Sequence, residues 1–178
     1  MNEPALNADS SDSGRDASLA FLLLRGWLGL RALQTGIEKF SALKTVQKPL
    51  IDPVTGMEDP SGALVEVKVK FYALANYSGI PSSFKDKFAT EPLLSNSLMA
   101  LFDKCLGPAL IATGLMLLLG LGTRISLFAQ GLIYIALTFG LILIKQDDGV
   151  AWLGIHVALI ALALLLAKHN RFAFLKKW

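Results

Sequence analysis

The chain has 178 residues, 53% of them hydrophobic, and a formal net charge of +3. That hydrophobic share and a mean hydropathy of +0.52 are too high for an ordinary soluble domain. The polar segments mix both charge signs without a basic stripe among aromatics, which excludes a nucleic-acid-binding surface.

Residues 1–16 are rich in Ser, Asp and Asn, with Arg15 the only basic residue among them. A secretory signal needs a basic start and a small-residue cleavage site, so this stretch reads as a disordered tail. Residues 17–38 follow as a hidden membrane segment, ASLAFLLLRGWLGLRALQTGIE, with Arg25 and Arg31 inside it. Two central arginines cost about 6 kcal/mol and nine Leu, Ile and Phe side chains return about 4. The segment therefore spans a bilayer only if both guanidinium groups face protein, water or headgroups.

A polar insertion at 39–102 comes next and holds five of the seven prolines. Residues 52–62 are turn-rich. Residues 63–72 alternate apolar and polar with β-branched side chains, which predicts a strand or extended stretch. Short amphipathic helices are expected at 71–77 and at 82–89, the second capped by Ser82 or Ser83 after Pro81, and such pieces often lie at a membrane surface.

Three apolar runs then follow at 105–123, 125–144 and 149–167, free of Lys, Arg, Asp and Glu. A helix needs about 20 such residues to cross the roughly 30 Å hydrocarbon core. With the first segment, they predict spans at about 17–38, 103–122, 124–144 and 149–167. The links at 120–124 and 145–148 are of hairpin length. The expected fold is thus an all-α, antiparallel four-helix membrane bundle, one domain over 17–178, with a long outer loop between spans one and two. Lys168, Arg171, Lys176 and Lys177 join Arg15 and Arg124 on one side, which places both termini in the cytoplasm by the positive-inside rule.

The single cysteine, Cys105, excludes an intrachain disulfide and a Cys-based metal site. The two histidines, His156 and His169, are 13 residues apart, about 20 Å along one helix, so one copy cannot clamp a haem between them. No nucleotide or flavin motif is present, and no metal site is expected.

The sequence LLLRGWLGLRALQTGIEKF at 22–40 resembles the first span of the DoxX family, in an Arg (Arg25), a Gly four residues on (Gly29), and Gly-x-x-Lys at the helix end (Gly36, Lys39). Residues 112–137 resemble that family's second hairpin through Gly114, Gly120, Gly122, Thr123 and Arg124, and ALALLLAKHNRFAFLKKW resembles its closing helix. The resemblance implies a four-span protein of the bacterial inner membrane. DoxD-type relatives form the membrane subunit of a thiosulfate:quinone oxidoreductase, which oxidises thiosulfate to tetrathionate and passes electrons to quinone. The implied partners are the lipid bilayer and other membrane or redox subunits.

Two groups of residues are candidates for binding a quinone or an anion. Trp27, Arg31, Gln34 and Glu38 share one helical face, and Arg25 lies on the same segment; a guanidinium suits both an anion and a quinone carbonyl. The structural alternative pairs Arg31 with Glu38 or a carbonyl end while Arg25 snorkels. His156 has the chemistry of a proton acceptor, and Gln130, Tyr134 and Thr138 form a face of span three to which it would otherwise bond across helices. Gly107, Gly114, Gly120 and Gly131 read as packing positions. Two functions compete: a membrane subunit of a quinone-linked oxidoreductase, and a non-catalytic scaffold or anchor subunit. Anion transport fits less well, because one bundle with no repeat and no broken helix lacks the usual architecture.

Overall fold

The computed structural model describes residues 4–51, 54–58 and 61–170, with side chains of 4–13 left aside. Residues 1–3, Arg171, Lys176, Lys177 and the rest of 171–178 lie outside the described residues. The fold is mostly helical: α1 (Pro4–Glu38), α2 (Ser82–Ala89), α3 (Asn96–Leu119), α4 (Thr123–Leu143) and α5 (Asp147–Leu166), with short 3-10 turns at Leu74–Asn76 and Ala167–His169.

The fold is not all-α. A two-stranded antiparallel hairpin, β1 (Ser41–Pro49) and β2 (Leu64–Tyr72), rises directly from the end of α1. The alternation at 63–72 marks the second strand; the first pairs with it residue for residue, Val46 opposite Val67. The segment expected to be helical at 71–77 is the end of β2 followed by a 3-10 turn. Helix α1 begins at Pro4, within the stretch 1–16 that the composition marks as a tail. A proline is tolerated at the first helical position, where its missing N–H has no partner in any case, and the helix runs on without a break through Ser18, whose hydroxyl donates to the Gly14 carbonyl at 2.8 Å.

Three helices, Asn96–Leu119, Thr123–Leu143 and 147–169, are long and apolar enough to cross a membrane; α1, with its two arginines, is not among them. The four long helices pack in a ring, α1 on α3, α3 on α4, α4 on α5, and α5 back on α1. The interior is apolar around Phe21, Leu28, Leu110, Leu117 and Leu127, but the outward faces are apolar too. Leu23, Leu30, Phe128, Leu132, Ile155 and Leu165 point outward and are more than half exposed, while Arg25, Ser126, Gln130 and His156 are buried. That pattern fits a protein whose solvent is lipid, where outward apolar faces meet acyl chains and polar groups turn inward.

Glycine sets the closest approach. A Cβ on Gly36 would stand 2.9 Å from the Ile111 nitrogen, and one on Gly114 2.6 Å from the Leu33 nitrogen. Close backbone approach through small residues is the usual device for holding helices together in lipid. The order of the contacts, Gly29 with Gly114 and Gly36 with Gly107, makes α1 and α3 antiparallel. Gly120 (φ 71°) and Gly122 (φ 50°) both take left-handed backbone, which lets the chain reverse between α3 and α4. Of the expected packing glycines, Gly120 is therefore a turn residue, and Gly131 sits at ordinary contact distance from Ile160.

Candidate functional site

Two neighbouring hollows lie where α1 ends. The first is an apolar cavity of about 300 Å³, at the small end of the range for ligand pockets. Phe102 and Leu106 of α3 and Ala136, Leu137 and Gly140 of α4 form its walls. Helix α2 roofs it with Phe84 and Phe88, which pack with Ile80 and Ile144 in a small satellite core. The helix at 82–89 is thus placed by its inward aromatic face.

Two side chains fasten this roof. Asp103 Oδ1 accepts from the Ile80 backbone N–H, and Asp103 Oδ2 pairs with Lys85 Nζ at 3.1 Å. Tyr77 repairs a break in α3. Pro108 lacks the N–H that the Lys104 carbonyl would receive; the Tyr77 hydroxyl lies against the Lys104 and Asp103 carbonyls and accepts from the Gly107 N–H at 3.1 Å. Its ring also packs on Phe40, 4.8 Å between centroids. Neither Tyr77 nor Asp103 stands out in the sequence, since each acts through a distant partner.

The second hollow is a polar cleft of about 540 Å³ lined by Arg31, Gln34, Thr35, Glu38, Lys39, Ser41, Ser78, Pro81 and Ser82. Three expected site residues, Arg31, Gln34 and Glu38, therefore do meet in one cleft; Trp27, on the same face, is half exposed and does not line it. The expected Arg31–Glu38 pair does not form. Glu38 bonds Lys70 Nζ and the Tyr72 hydroxyl (3.2 Å) instead, because β2 returns beside the end of α1. This tie holds the hairpin to the helix and raises the Lys70 ammonium above its ordinary value, chiefly through the hydrogen bond to Glu38. With its carboxylate engaged, the cleft keeps Arg31 and Lys39 as its cations.

Lys39 and Pro81 line both hollows. Burial pushes the Lys39 ammonium below its ordinary value, and the Asp103 charge partly offsets this. A desolvated cation at the mouth of an apolar slot favours a partner bearing negative charge or a polarised oxygen.

The remaining expected residues sit elsewhere. Arg25 does not snorkel: it is 7% exposed and donates from Nη1 to Asn170 Oδ1 at 3.1 Å, and Asn170 Nδ2 donates to Thr123 Oγ1 at 3.1 Å. This chain joins α1, the start of α4 and the residue after the last 3-10 turn. Gln130, fully buried, donates from Nε2 to the Leu28 carbonyl and to the Tyr134 hydroxyl, both at 3.2 Å. Among the described residues His156 makes no cross-helix hydrogen bond of the kind expected. Its Nδ1 lies 2.9 Å from the Trp152 carbonyl of its own helix, and its ring meets Tyr134 edge-on at 5.6 Å. Thr138 turns its hydroxyl to the Tyr134 carbonyl at 2.7 Å. Among the described residues no three His, Cys, Asp or Glu side chains gather as metal ligands.

Comparison with family models, curated proteins and solved structures finds no match to this chain.

Proposed function

We propose that this chain is a DoxX-like four-span protein of the bacterial inner membrane and the membrane subunit of a quinone-linked oxidoreductase of the thiosulfate:quinone type. The observation that carries the reading is the junction of a cationic polar cleft with an apolar cavity at Lys39. The cleft suits a small oxyanion, held by the planar multiple-donor guanidinium of Arg31 and the amide of Gln34. The cavity suits a quinone ring, with Lys39 placed to donate to a carbonyl oxygen. In the reaction, two thiosulfate anions join through a new S–S bond and give up two electrons. The quinone takes those two electrons and two protons to become quinol.

The first helix serves as the fourth span in this account. Its apolar residues Leu19, Leu23, Leu30 and Ile37 face outward and Arg25 is satisfied inside, which lowers the cost of carrying arginine through lipid. Lys168 and Arg124 share the end opposite the cleft, so the positive-inside rule puts that end in the cytoplasm and the cleft outside.

A scaffold or anchor subunit is the second reading, and the hairpin favours it. Antiparallel pairing puts Val46, Val67, Val65 and Phe71 on one face, all exposed, as on a surface that receives another protein. The test is quinol formation in membranes carrying the full chain with its native partners, using a short-tail quinone and thiosulfate. Reduction that needs both reagents and the chain supports the oxidoreductase reading. Equal rates in membranes lacking the chain overturn it in favour of the scaffold.

A further inference from the structure

The helical core contains acceptors that the fold leaves without donors. Gln130 Oε1 and His156 Nε2 are buried and have no hydrogen-bond partner, and their side chains are 0% and 3% exposed. The orientation of each follows from its other bond. A carbonyl can only accept, so the Leu28 carbonyl fixes Gln130 Nε2 as the donor, and the Trp152 carbonyl fixes the proton on His156 Nδ1. Nε2 of the neutral ring is then a bare lone pair. An unpaired buried acceptor costs about 1–3 kcal/mol, and two within one small cluster call for a shared donor. Between them stands Tyr134, which accepts from Gln130 and meets the His156 ring. Its own O–H is not spent on any acceptor among the described residues.

The surroundings make His156 the natural proton carrier. Among the described buried side chains of α1, α3, α4 and α5 there is no carboxylate; the polar ones are Ser18, Arg25, Thr113, Thr123, Ser126, Gln130 and His156. On α1, Arg31 lines the polar cleft, while Arg25 is engaged with Asn170. On α3, Thr113 bonds its own helix. On α5 itself, Asp147 and Asp148 sit in the first turn, two turns from His156. His156 is thus the one imidazole among the described buried side chains of this core.

We propose that Gln130, Tyr134 and His156 form a hydrated proton-binding site in the helical core, in which water donates to Gln130 Oε1 and His156 Nε2. His156 Nε2 takes up a proton; passing it through that water to the Tyr134 oxygen releases the tyrosine's own proton toward the apolar cavity, whose wall begins at Ala136 and Leu137 on the next part of the same helix. The destination of the proton, a quinone oxygen, rests on the quinone reading above; the site itself does not.

The test uses the full chain, ¹⁵N-labelled at histidine, in lipid nanodiscs without quinone, with His169→Gln to assign the two rings. The His156 Nε2 resonance is expected to move from the unprotonated to the protonated form as pH falls from about 9 to about 5, and Gln130→Leu is expected to displace the midpoint by about one unit. A ring that stays unprotonated at Nε2 across that interval overturns the site, and so does a midpoint unmoved by Gln130→Leu. Tyr134→Phe should keep the titration while slowing quinol formation about 100-fold; an unchanged rate removes Tyr134 from the route. A titrating His156 in a protein that never forms quinol overturns the quinone reading and leaves the proton site standing.

Discussion

Gly29 and Gly114 touch across the α1–α3 interface so closely that a Cβ at position 114 would stand 2.9 Å from the Gly29 carbonyl oxygen. One turn-pair away, Gly36 repeats the contact with the Gly107 carbonyl at 3.0 Å. The seven-residue spacing on both helices keeps the two contacts on one seam. Backbone atoms cannot yield as a flexible side-chain end can, so this seam fixes how the arginine-bearing helix docks.

Gly114→Ala is therefore expected to cost about 1–3 kcal/mol through overpacking. Gly26→Ala, where a new Cβ meets nothing within 4 Å, should be neutral or stabilising by up to about 1 kcal/mol. Unfolding in mixed micelles separates the two; equal effects would contradict the seam.

Tyr77→Phe removes the hydroxyl that lies against the Lys104 and Asp103 carbonyls and accepts from the Gly107 N–H. The expected loss is about 1–3 kcal/mol, together with faster amide exchange at Gly107 and its neighbours. The same exchange measurement on Phe40→Leu should report only the weaker loss of a ring contact.

Arg25→Leu and Asn170→Leu should each destabilise the protein, and less in combination than in sum. A double-mutant cycle is expected to show coupling of about 0.5–3 kcal/mol, since each residue is the other's partner. Additivity would mean that the Asn170 bond adds nothing to the docking of Arg25.

The hairpin tie loosens at both ends of the pH scale: Lys70 holds the Glu38 carboxyl below its ordinary value, so that contribution is lost as pH falls through the lowered value. Lys70 has its value raised in the folded state by Glu38, so its contribution is fully present below the ordinary lysine value and is lost as pH rises through the raised one. A nitroxide at position 45 of the hairpin, in a Cys105→Ser background, should keep constant mobility from neutral pH up to about pH 10 and loosen above it. In Lys70→Met that pH response should disappear.

Arg31→Gln should leave folding intact, because Arg31 has no hydrogen bond or ion pair from its guanidinium among the described residues. It should weaken oxyanion binding at the cleft about tenfold or more, measured by calorimetry with thiosulfate on the full chain in nanodiscs.

Much of this was readable from residue pattern. Charge-free runs of the right length mark α3, α4 and α5, and Pro81 marks the start of α2, although neither Ser82 nor Ser83 caps it: both lie inside the helix and Pro81 holds the cap position. The helical spacing of Arg31, Gln34 and Glu38 places them in one cleft. The strand β1 escaped notice because SALKTVQKP mixes lysine, glutamine and serine with few apolar residues, and its pairing with β2 shows only when both are folded. The apolar cavity escaped for a related reason. Its roof and walls come from three helices, and its fastenings, Asp103 and Tyr77, bond to residues 18 to 30 positions away. Glu38 found Lys70 rather than Arg31 because strand return, which helical spacing does not encode, brought a nearer cation.

The most direct measurement is photolabelling of the full chain in nanodiscs with an azido-substituted short-tail quinone, followed by mapping of the labelled peptides. The account predicts label on the cavity residues Phe84, Met99, Phe102 and Leu137, displaced by excess unlabelled quinone and weakened by Lys39→Ala. Label spread over the outward faces at Leu23, Phe128 and Leu165, with no displacement, would contradict it.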